Sequence, residues 1–143
     1  MKAKNYLRQL YKLDKLITNK MDEKARWQEI ARGTTSFSSG ERVQSSGNQQ
    51  KMANAVERYI DIEAEIVRSI DALIDKRLEI IGVIEQLNVT EYDLLHKIYV
   101  QYMSLYEAAE ALNKSYSWVT TIHGMALKNV QRLLDERGQA DED

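Results

Sequence analysis

Hydrophobic residues recur every three or four positions along most of this chain, which is the spacing that one face of an α-helix requires. The first such stretch, residues 2–32, carries Leu10 and Ile17 within a stripe of Leu, Tyr and Met side chains. The second stretch, residues 49–88, is the longest and is rich in Ile. These patterns predict an all-α protein in which the two segments form a long antiparallel helical hairpin.

The apolar stripe of residues 49–88 is wider than one partner helix covers. A heptad frame predicts that the inward a and d positions are Val56, Tyr59, Ile66, Ile70, Leu73, Ile80, Ile84 and Leu87. Other Ile and Val residues lie beside that frame, and Glu63 and Arg77 interrupt it. Because surplus apolar surface usually marks an interface, we expect residues 1–88 to mediate self-association as a homodimer.

Residues 33–48 interrupt the helical pattern with three Gly and seven Ser or Thr residues. This composition predicts a long loop, with Ser45, Ser46 and Asn48 as candidate N-caps of the next helix. No Gly-Lys-Ser/Thr sequence follows the glycines, so the loop does not predict a nucleotide-binding site. The sequence assigns no role to Arg42.

Residues 89–138 predict a C-terminal domain of three helices. Thr90 is the predicted N-cap of its first helix, with Asp93 at the position where a capping carboxylate acts. Gly138 is the predicted stop signal of the last helix. Residues 139–143 are predicted to be a frayed acidic tail.

Residues 105–124 carry the pattern of a helix-turn-helix. Ser104 and Glu107 predict a capping box for its first helix, and Ser115, at the end of the predicted turn, is the expected N-cap of its second. The predicted helix-turn-helix core is Ala108, Ala109, Leu112, Val119 and Ile122. An ordinary three-helix packing unit with no role at DNA is the alternative interpretation of these spacings.

In such a motif the second helix lies in the major groove, with its N-terminal residues at the base edges. The predicted base-facing residues are Ser115, Tyr116, Ser117, Thr120, Thr121 and Gly124. Lys114, Lys128 and Arg132 are the predicted phosphate contacts. No Lys or Arg lies among the base-facing residues, which lowers the expected affinity. Trp118 fits either an exposed contact surface or packing against the preceding helix.

Charge is distributed unevenly along the chain. The formal net charge is −2, but residues 1–32 hold nine Lys and Arg against four Asp and Glu. The basic residues that lie largely off the apolar stripe there are Lys2, Lys4, Arg8, Lys12 and Lys15. They form either a solvated helix face or a basic face that contacts DNA phosphates or an acidic partner.

Several functional classes find no support in the composition. The chain has two His and no Cys, and it shows no metal-spaced cluster and no nucleophile motif, so we expect no enzymatic activity, metal or cofactor. No apolar run approaches the roughly 18 residues of a membrane span, so no membrane partner is expected. The lack of Cys fits a reducing cytoplasm.

Residues 92–134 resemble the fourth region of bacterial primary-type sigma factors. The matching residues are Leu95, Tyr99, Leu105, Glu107, Ala109, Leu112, Ser115, Val119, Ile122, Ala126, Leu127 and Lys128. The resemblance implies a DNA-reading helix-turn-helix that follows a helix ending in Leu-x-x-x-Tyr. A primary sigma factor normally has basic residues on the base-facing turns, and this chain departs from that pattern.

Nearly the whole chain is similar to short phage- and prophage-encoded proteins of low-GC Gram-positive bacteria. The similarity is carried by the KNYL…KLD start, the GTTS…GERVQSSGNQQKMANAVERY middle and the EYDLLHKIYVQYM stretch. That family is similar to the ArpU and RinA groups of phage late-gene transcription regulators. It implies a regulator that acts in the host bacterial cell, at a phage promoter or on RNA polymerase.

Together these features predict a sequence-specific DNA-binding transcription regulator. Two alternatives stay open. One is a module that binds RNA polymerase or another protein without base readout, and the other is a structural coiled-coil adaptor.

Overall fold

The computed structural model describes residues 1–33 and 46–142, and this part of the chain is helical, with no strand. Its α-helices are α1 (Ala3–Leu7), α2 (Gln9–Ala31), α3 (Ser46–Ile84), α4 (Val89–Leu95), α5 (Leu105–Leu112) and α6 (Tyr116–Glu142). A π-helical segment, His96–Val100, directly follows α4. The all-α prediction is therefore confirmed for the described residues. None of these helices is long and apolar enough to cross a membrane.

Two compact units divide the chain. The first comprises Met1–Leu13 and Leu73–Asp143, and the second comprises Asp14–Ala72. The sequence instead places a boundary between residues 88 and 89, where the helical pattern breaks. The two divisions differ because α1 and the last turns of α3 share a hydrophobic core with the helices that follow residue 88.

The core of the first unit lies between α1, the end of α3, the π-helical segment and α6. Leu7, Leu10, Ile80, Ile84 and Val130 are fully buried in it. Since each fully buried aliphatic side chain contributes about 1.5–3 kcal/mol of transfer free energy, this cluster holds α1 firmly against the C-terminal helices.

A polar cluster lies at the edge of this core. The Tyr6 hydroxyl donates to Glu79 Oε2 at 2.6 Å, and Arg137 donates to the Tyr6 oxygen at 3.3 Å. Lys76 Nζ lies 3.2 Å from the same Glu79 oxygen. Burial, followed by the hydrogen bond to Glu79, raises the pKa of Tyr6 to about 12. The bond from Tyr6 in turn lowers the pKa of Glu79 below its usual value.

The chain leaves the π-helical segment through a residue with a left-handed backbone. The Gln101 N–H donates to the His96 carbonyl, five residues back, at 2.9 Å. Tyr102 then has φ +63°, which is uncommon for a residue with a bulky side chain. Its hydroxyl donates to the Leu10 carbonyl at 3.3 Å, and its ring meets the Tyr11 ring edge-on at 5.6 Å. These tertiary contacts offset the cost of the backbone conformation.

In the second unit, α2 and α3 run antiparallel. Lys20 of α2 pairs with Glu65 of α3 at 2.9 Å, and Lys24, one turn later, pairs with Glu63 at 3.4 Å. A step forward along α2 therefore corresponds to a step backward along α3. The buried apolar residues of the described part of this unit are Ile17, Ala55, Ile62 and Ile66.

The bounds predicted for the long second helix and for the loop before it are partly wrong. α3 begins at Ser46 rather than at residue 49, and it ends at Ile84 rather than at residue 88. Residues 46–48 of the predicted 33–48 loop, with the candidate caps Ser46 and Asn48, are thus helical. Residues 34–45, which include Ser45 and Arg42, lie outside the described residues.

The inward face of α3 also differs from the predicted heptad frame. Val56 and Ile70, which the frame places inward, are exposed, whereas Ala55 and Ile62 are buried. The frame followed the bulkiest side chains, but this part of α3 buries the neighbouring face, on which the smaller Ala55 also lies. An apolar stripe on α3 therefore stays exposed.

Two helix ends in the C-terminal half differ from prediction. The N-cap of α4 is Asn88, whose side chain accepts the Glu91 N–H at 2.9 Å, rather than Thr90. α6 does not stop at Gly138 but continues to Glu142, through most of the predicted 139–143 tail. A glycine inside a helix weakens it without ending it, since its N–H still takes part in the backbone hydrogen bonding.

Candidate nucleic-acid interface

Local hydrogen bonds set the ends of α5 and α6. Ser104 Oγ accepts the Glu107 N–H at 3.1 Å, and Glu107 Oε1 accepts the Ser104 N–H at 3.3 Å, which is the predicted capping box. Asn113 ends α5 in the left-handed conformation, with φ +58°. Ser115 Oγ then accepts the Trp118 N–H at 3.0 Å and caps α6, as predicted. The turn is thus specified by residues 113–115 themselves.

α5 packs against α6 and α4 through a second hydrophobic cluster. Leu94, Ala108, Ala109 and Val119 are buried in it. Leu112 and Ile122 are half-buried and pack against the same cluster. Because alanine side chains end at Cβ, the helix backbones approach closely at the contact.

Trp118 is also half-buried and packs against this cluster. Of the two interpretations of this residue, packing against the preceding helix therefore describes its environment. Lys114 Nζ lies 5.2 Å from the centroid of the Trp118 ring, which is within the range of a cation–π contact. The contact holds the Lys114 side chain beside the start of α6.

The exposed side of α6 carries a row of small and basic residues. Ser117, Thr121, Gly124 and Lys128 are exposed and recur at spacings of four and three, so they share one face. We call these four residues the outer face of α6. Arg132 is exposed and continues the row by one turn.

The other predicted base-facing residues lie beside the outer face. Ser115 and Tyr116 are exposed at the start of α6, and Thr120 is half-buried at the edge of the face. The hydroxyls of Thr120 and Thr121 donate to the Ser117 carbonyl at 2.9 and 3.0 Å. Their oxygens can therefore still accept hydrogen bonds, and the methyl group of Thr121 projects beside its hydroxyl.

Tyr116 does not project alone from the start of α6. Its ring stacks on that of Tyr106 in α5, with centroids 4.3 Å apart and planes inclined by 14°. Tyr116 is 42% exposed and Tyr106 is 69% exposed. No sequence motif singles out Tyr106. The short turn brings the last turn of α5 beside the start of α6, so residue spacing does not indicate a contact made by the first turn of α5.

Neighbouring elements cover α6 on two sides. On one side, Asn129 donates from Nδ2 to both carboxylate oxygens of Glu91 in α4, at 2.9 and 3.0 Å, and Glu91 is buried. On the other side, Gln131 accepts the Ala3 N–H of α1 at 2.7 Å and donates to the Met1 carbonyl at 3.3 Å. The outer face therefore lies between α4 and α1.

His123 lies on the side of α6 that faces α1. Its Nε2 is 2.7 Å from the Tyr99 hydroxyl, and the two rings are stacked with centroids 5.7 Å apart. Burial, and then the positive charges of Lys4 and Arg8, lower the pKa of His123. Burial raises the pKa of Tyr99, against the opposing effect of Arg8. His123 thus favours its neutral form and lies near two cationic side chains.

Comparison with protein-family models, with curated proteins and with solved structures found no match to this chain. The functional interpretation therefore depends on the residues of α5 and α6 and on what surrounds them.

Proposed function

We propose that this chain is a phage-type, sequence-specific DNA-binding transcription regulator. In this proposal α4, α5 and α6 act as a sigma-region-4-like helix-turn-helix, and residues 1–88 form a helical hairpin. α6 lies in the major groove with its outer face toward the base edges. The regulator acts in the cytoplasm of the host bacterium, needs no cofactor and catalyses no reaction.

The composition of the outer face is the observation that supports this proposal most. Ser117, Thr121 and Gly124 are small, so they allow the helix to approach base edges closely. The Thr121 oxygen is free to accept from the amino group of adenine or cytosine, and its methyl group fits against that of thymine. Lys128 and Arg132 follow along the same row, where phosphates would lie.

A salt titration of DNA binding tests this proposal. Genome-scale mapping of the protein on phage and host DNA would first identify a bound duplex, and a scrambled duplex serves as the comparison. Lys128→Ala should weaken binding to both duplexes alike and lower the salt slope by about one. Thr121→Ala should leave the slope nearly unchanged and reduce the preference for the bound duplex over the scrambled one. The expected loss of discrimination is at the low end of the roughly 1–3 kcal/mol that a base contact contributes.

The two variants act on different terms of the binding free energy, so each controls for the other. Retention of full affinity and full preference by both variants would show that the outer face does not contact DNA.

The alternative is a module that binds RNA polymerase or another protein through the same helices. Two observations favour it. The exposed Tyr106–Tyr116 pair is of a kind enriched in protein interfaces, and no Lys or Arg lies among the base-facing residues. Under this alternative Tyr106→Ala abolishes capture of RNA polymerase, while Thr121→Ala and Lys128→Ala change nothing.

We also propose that the protein forms a homodimer through the exposed stripe of α3. In the second unit this stripe contains Val56, Ile60, Val67 and Ile70, all exposed. Their spacings of four, seven and three residues are those of a two-helix seam, so the stripe can pack against the same stripe of a second copy of the chain. Sedimentation equilibrium should show a dimer that Ile60→Glu converts to a monomer. A parent protein that is monomeric at high micromolar concentration would remove this claim.

A further inference from the structure

The outer face of α6 has little positive charge for a DNA-binding helix, because its first basic residue is Lys128. Affinity for DNA comes largely from Lys and Arg at phosphates. The structure brings α1, which belongs to the most basic stretch of the chain, against α6.

Two hydrogen bonds and a shared hydrophobic cluster place α1 on α6. Gln131 of α6 bonds to the Ala3 N–H and to the Met1 carbonyl, which fixes the start of α1 about two turns beyond Gly124. Leu7 shares a buried cluster with Ala126 of α6. Because an uncharged side chain and two fully buried residues make these contacts, the position of α1 does not depend on surface charges.

Lys4 lies in α1 and Arg8 is the residue that directly follows it, and both are exposed. The Arg8 N–H donates to the Lys4 carbonyl at 3.0 Å, so the helical turn continues to Arg8 and the two residues share one face. Their charges act on His123, which immediately precedes Gly124 on α6. Arg8 also acts on Tyr99, the hydrogen-bonding partner of His123. Since Gln131 holds the start of α1 on this side of α6, both cations lie near the flank of α6 that adjoins its outer face.

We propose that Lys4 and Arg8 bind DNA phosphates on the α1 side of the groove that α6 occupies, and so supply the positive charge that α6 lacks. This inference rests on the proposed DNA-binding function. In the proposed complex, Lys128 and Arg132 contact phosphates from α6 itself, and Lys4 and Arg8 contact the DNA backbone beside them. The N-terminal helix is then part of the DNA-binding surface.

The salt dependence of DNA binding measures this contribution directly. Each phosphate neutralised by a protein cation adds about 0.9 to the slope of log affinity against log salt concentration. The double variant Lys4→Ala/Arg8→Ala should therefore lower the slope by about two. The preference between the bound and the scrambled duplex should not change, because phosphate contacts do not read the base sequence.

A matched control separates this effect from the loss of net charge. Lys51→Ala/Arg68→Ala removes one Lys and one Arg from exposed positions of α3, far along the sequence from α1 and α6. This control should keep the slope of the parent protein. The charge-conserving variant Lys4→Arg/Arg8→Lys should keep it as well, and thermal melting verifies that every variant is folded.

The outcomes distinguish this inference from the proposed function. If Lys128→Ala lowers the slope by about one while Lys4→Ala/Arg8→Ala matches the control, the inference is wrong and DNA binding by α6 stands. A folded double variant that loses about two units of slope supports the inference. If the parent protein binds neither duplex at low salt, both the inference and the proposed function are wrong.

Discussion

Gly124 is the position at which the stability of α6 and its proposed contact with DNA make opposite demands. A glycine inside a helix costs about 0.8–1.0 kcal/mol relative to alanine. Apart from the helix backbone and the two adjacent residues, no heavy atom of the described residues lies within 4 Å of the place that a Cβ would take at Gly124, so there is room for an added methyl group. Gly124→Ala should therefore raise the free energy of unfolding by up to about 1 kcal/mol.

DNA affinity should change in the opposite direction. Gly124 lies on the outer face beside Thr121, where the proposed complex brings α6 close to base edges, and a side chain there would push the helix outward. Gly82→Ala and Gly138→Ala are matched controls, because both positions are helical and equally unobstructed. The controls should stabilise the protein by a similar or smaller amount and leave DNA binding unchanged.

Urea unfolding followed by circular dichroism measures the stability, and fluorescence anisotropy with the bound duplex measures the affinity. Gly124→Leu enlarges the side chain further and should weaken binding more than Gly124→Ala does. If Gly124→Leu is folded and binds DNA like the parent protein, the outer face of α6 is not the DNA-binding face. A loss of stability in Gly124→Ala would show that another element packs against this position.

Other substitutions test the packing of the first unit. Val119→Ala shortens a fully buried side chain and should lower the free energy of unfolding in urea by roughly 1.5–3 kcal/mol. An unchanged urea midpoint would show that this face of α6 does not point inward. Asn129→Ala removes the two hydrogen bonds to the buried Glu91 carboxylate and should lower the free energy of unfolding by about 1–3 kcal/mol. Adding Glu91→Gln removes the charge and should recover part of this stability. A double variant that recovers none would contradict the role of the charge. Tyr6→Phe removes the bond to Glu79 and should cost about 1.5–3 kcal/mol at pH 7. Because the folded pKa of Tyr6, about 12, exceeds its unfolded value of 10.0, this stabilisation is complete below pH 10 and is lost as the pH rises toward 12. The difference in stability between the parent protein and Tyr6→Phe should therefore shrink over that range, and a constant difference would refute the assignment.

The sequence alone determined the features that depend on residues close to one another in the chain. The Ser104–Glu107 capping box, the Ser115 cap and the turn at residues 113–115 are each specified within a few positions, so local chemistry was enough. The all-α class followed from apolar spacing for the same reason. The prediction of Thr90 as an N-cap was wrong because two candidate caps lie close together there. Asn88 satisfies the same rule two residues earlier and accepts the N–H of Glu91.

Tertiary structure decided which of several possible faces each helix buries and which distant residues meet. Val56 and Ile70 are as apolar as the Ile residues that α3 buries, so only the position of the covering helices leaves them exposed. The left-handed Tyr102 depends on contacts with residues more than 90 positions earlier, and the closeness of Lys4 and Arg8 to α6 depends on a core that joins the two ends of the chain. Sequence periodicity carries no information about such long-range pairings, because it describes one helix at a time. The N-terminal side of the proposed DNA surface therefore became visible only in the folded chain.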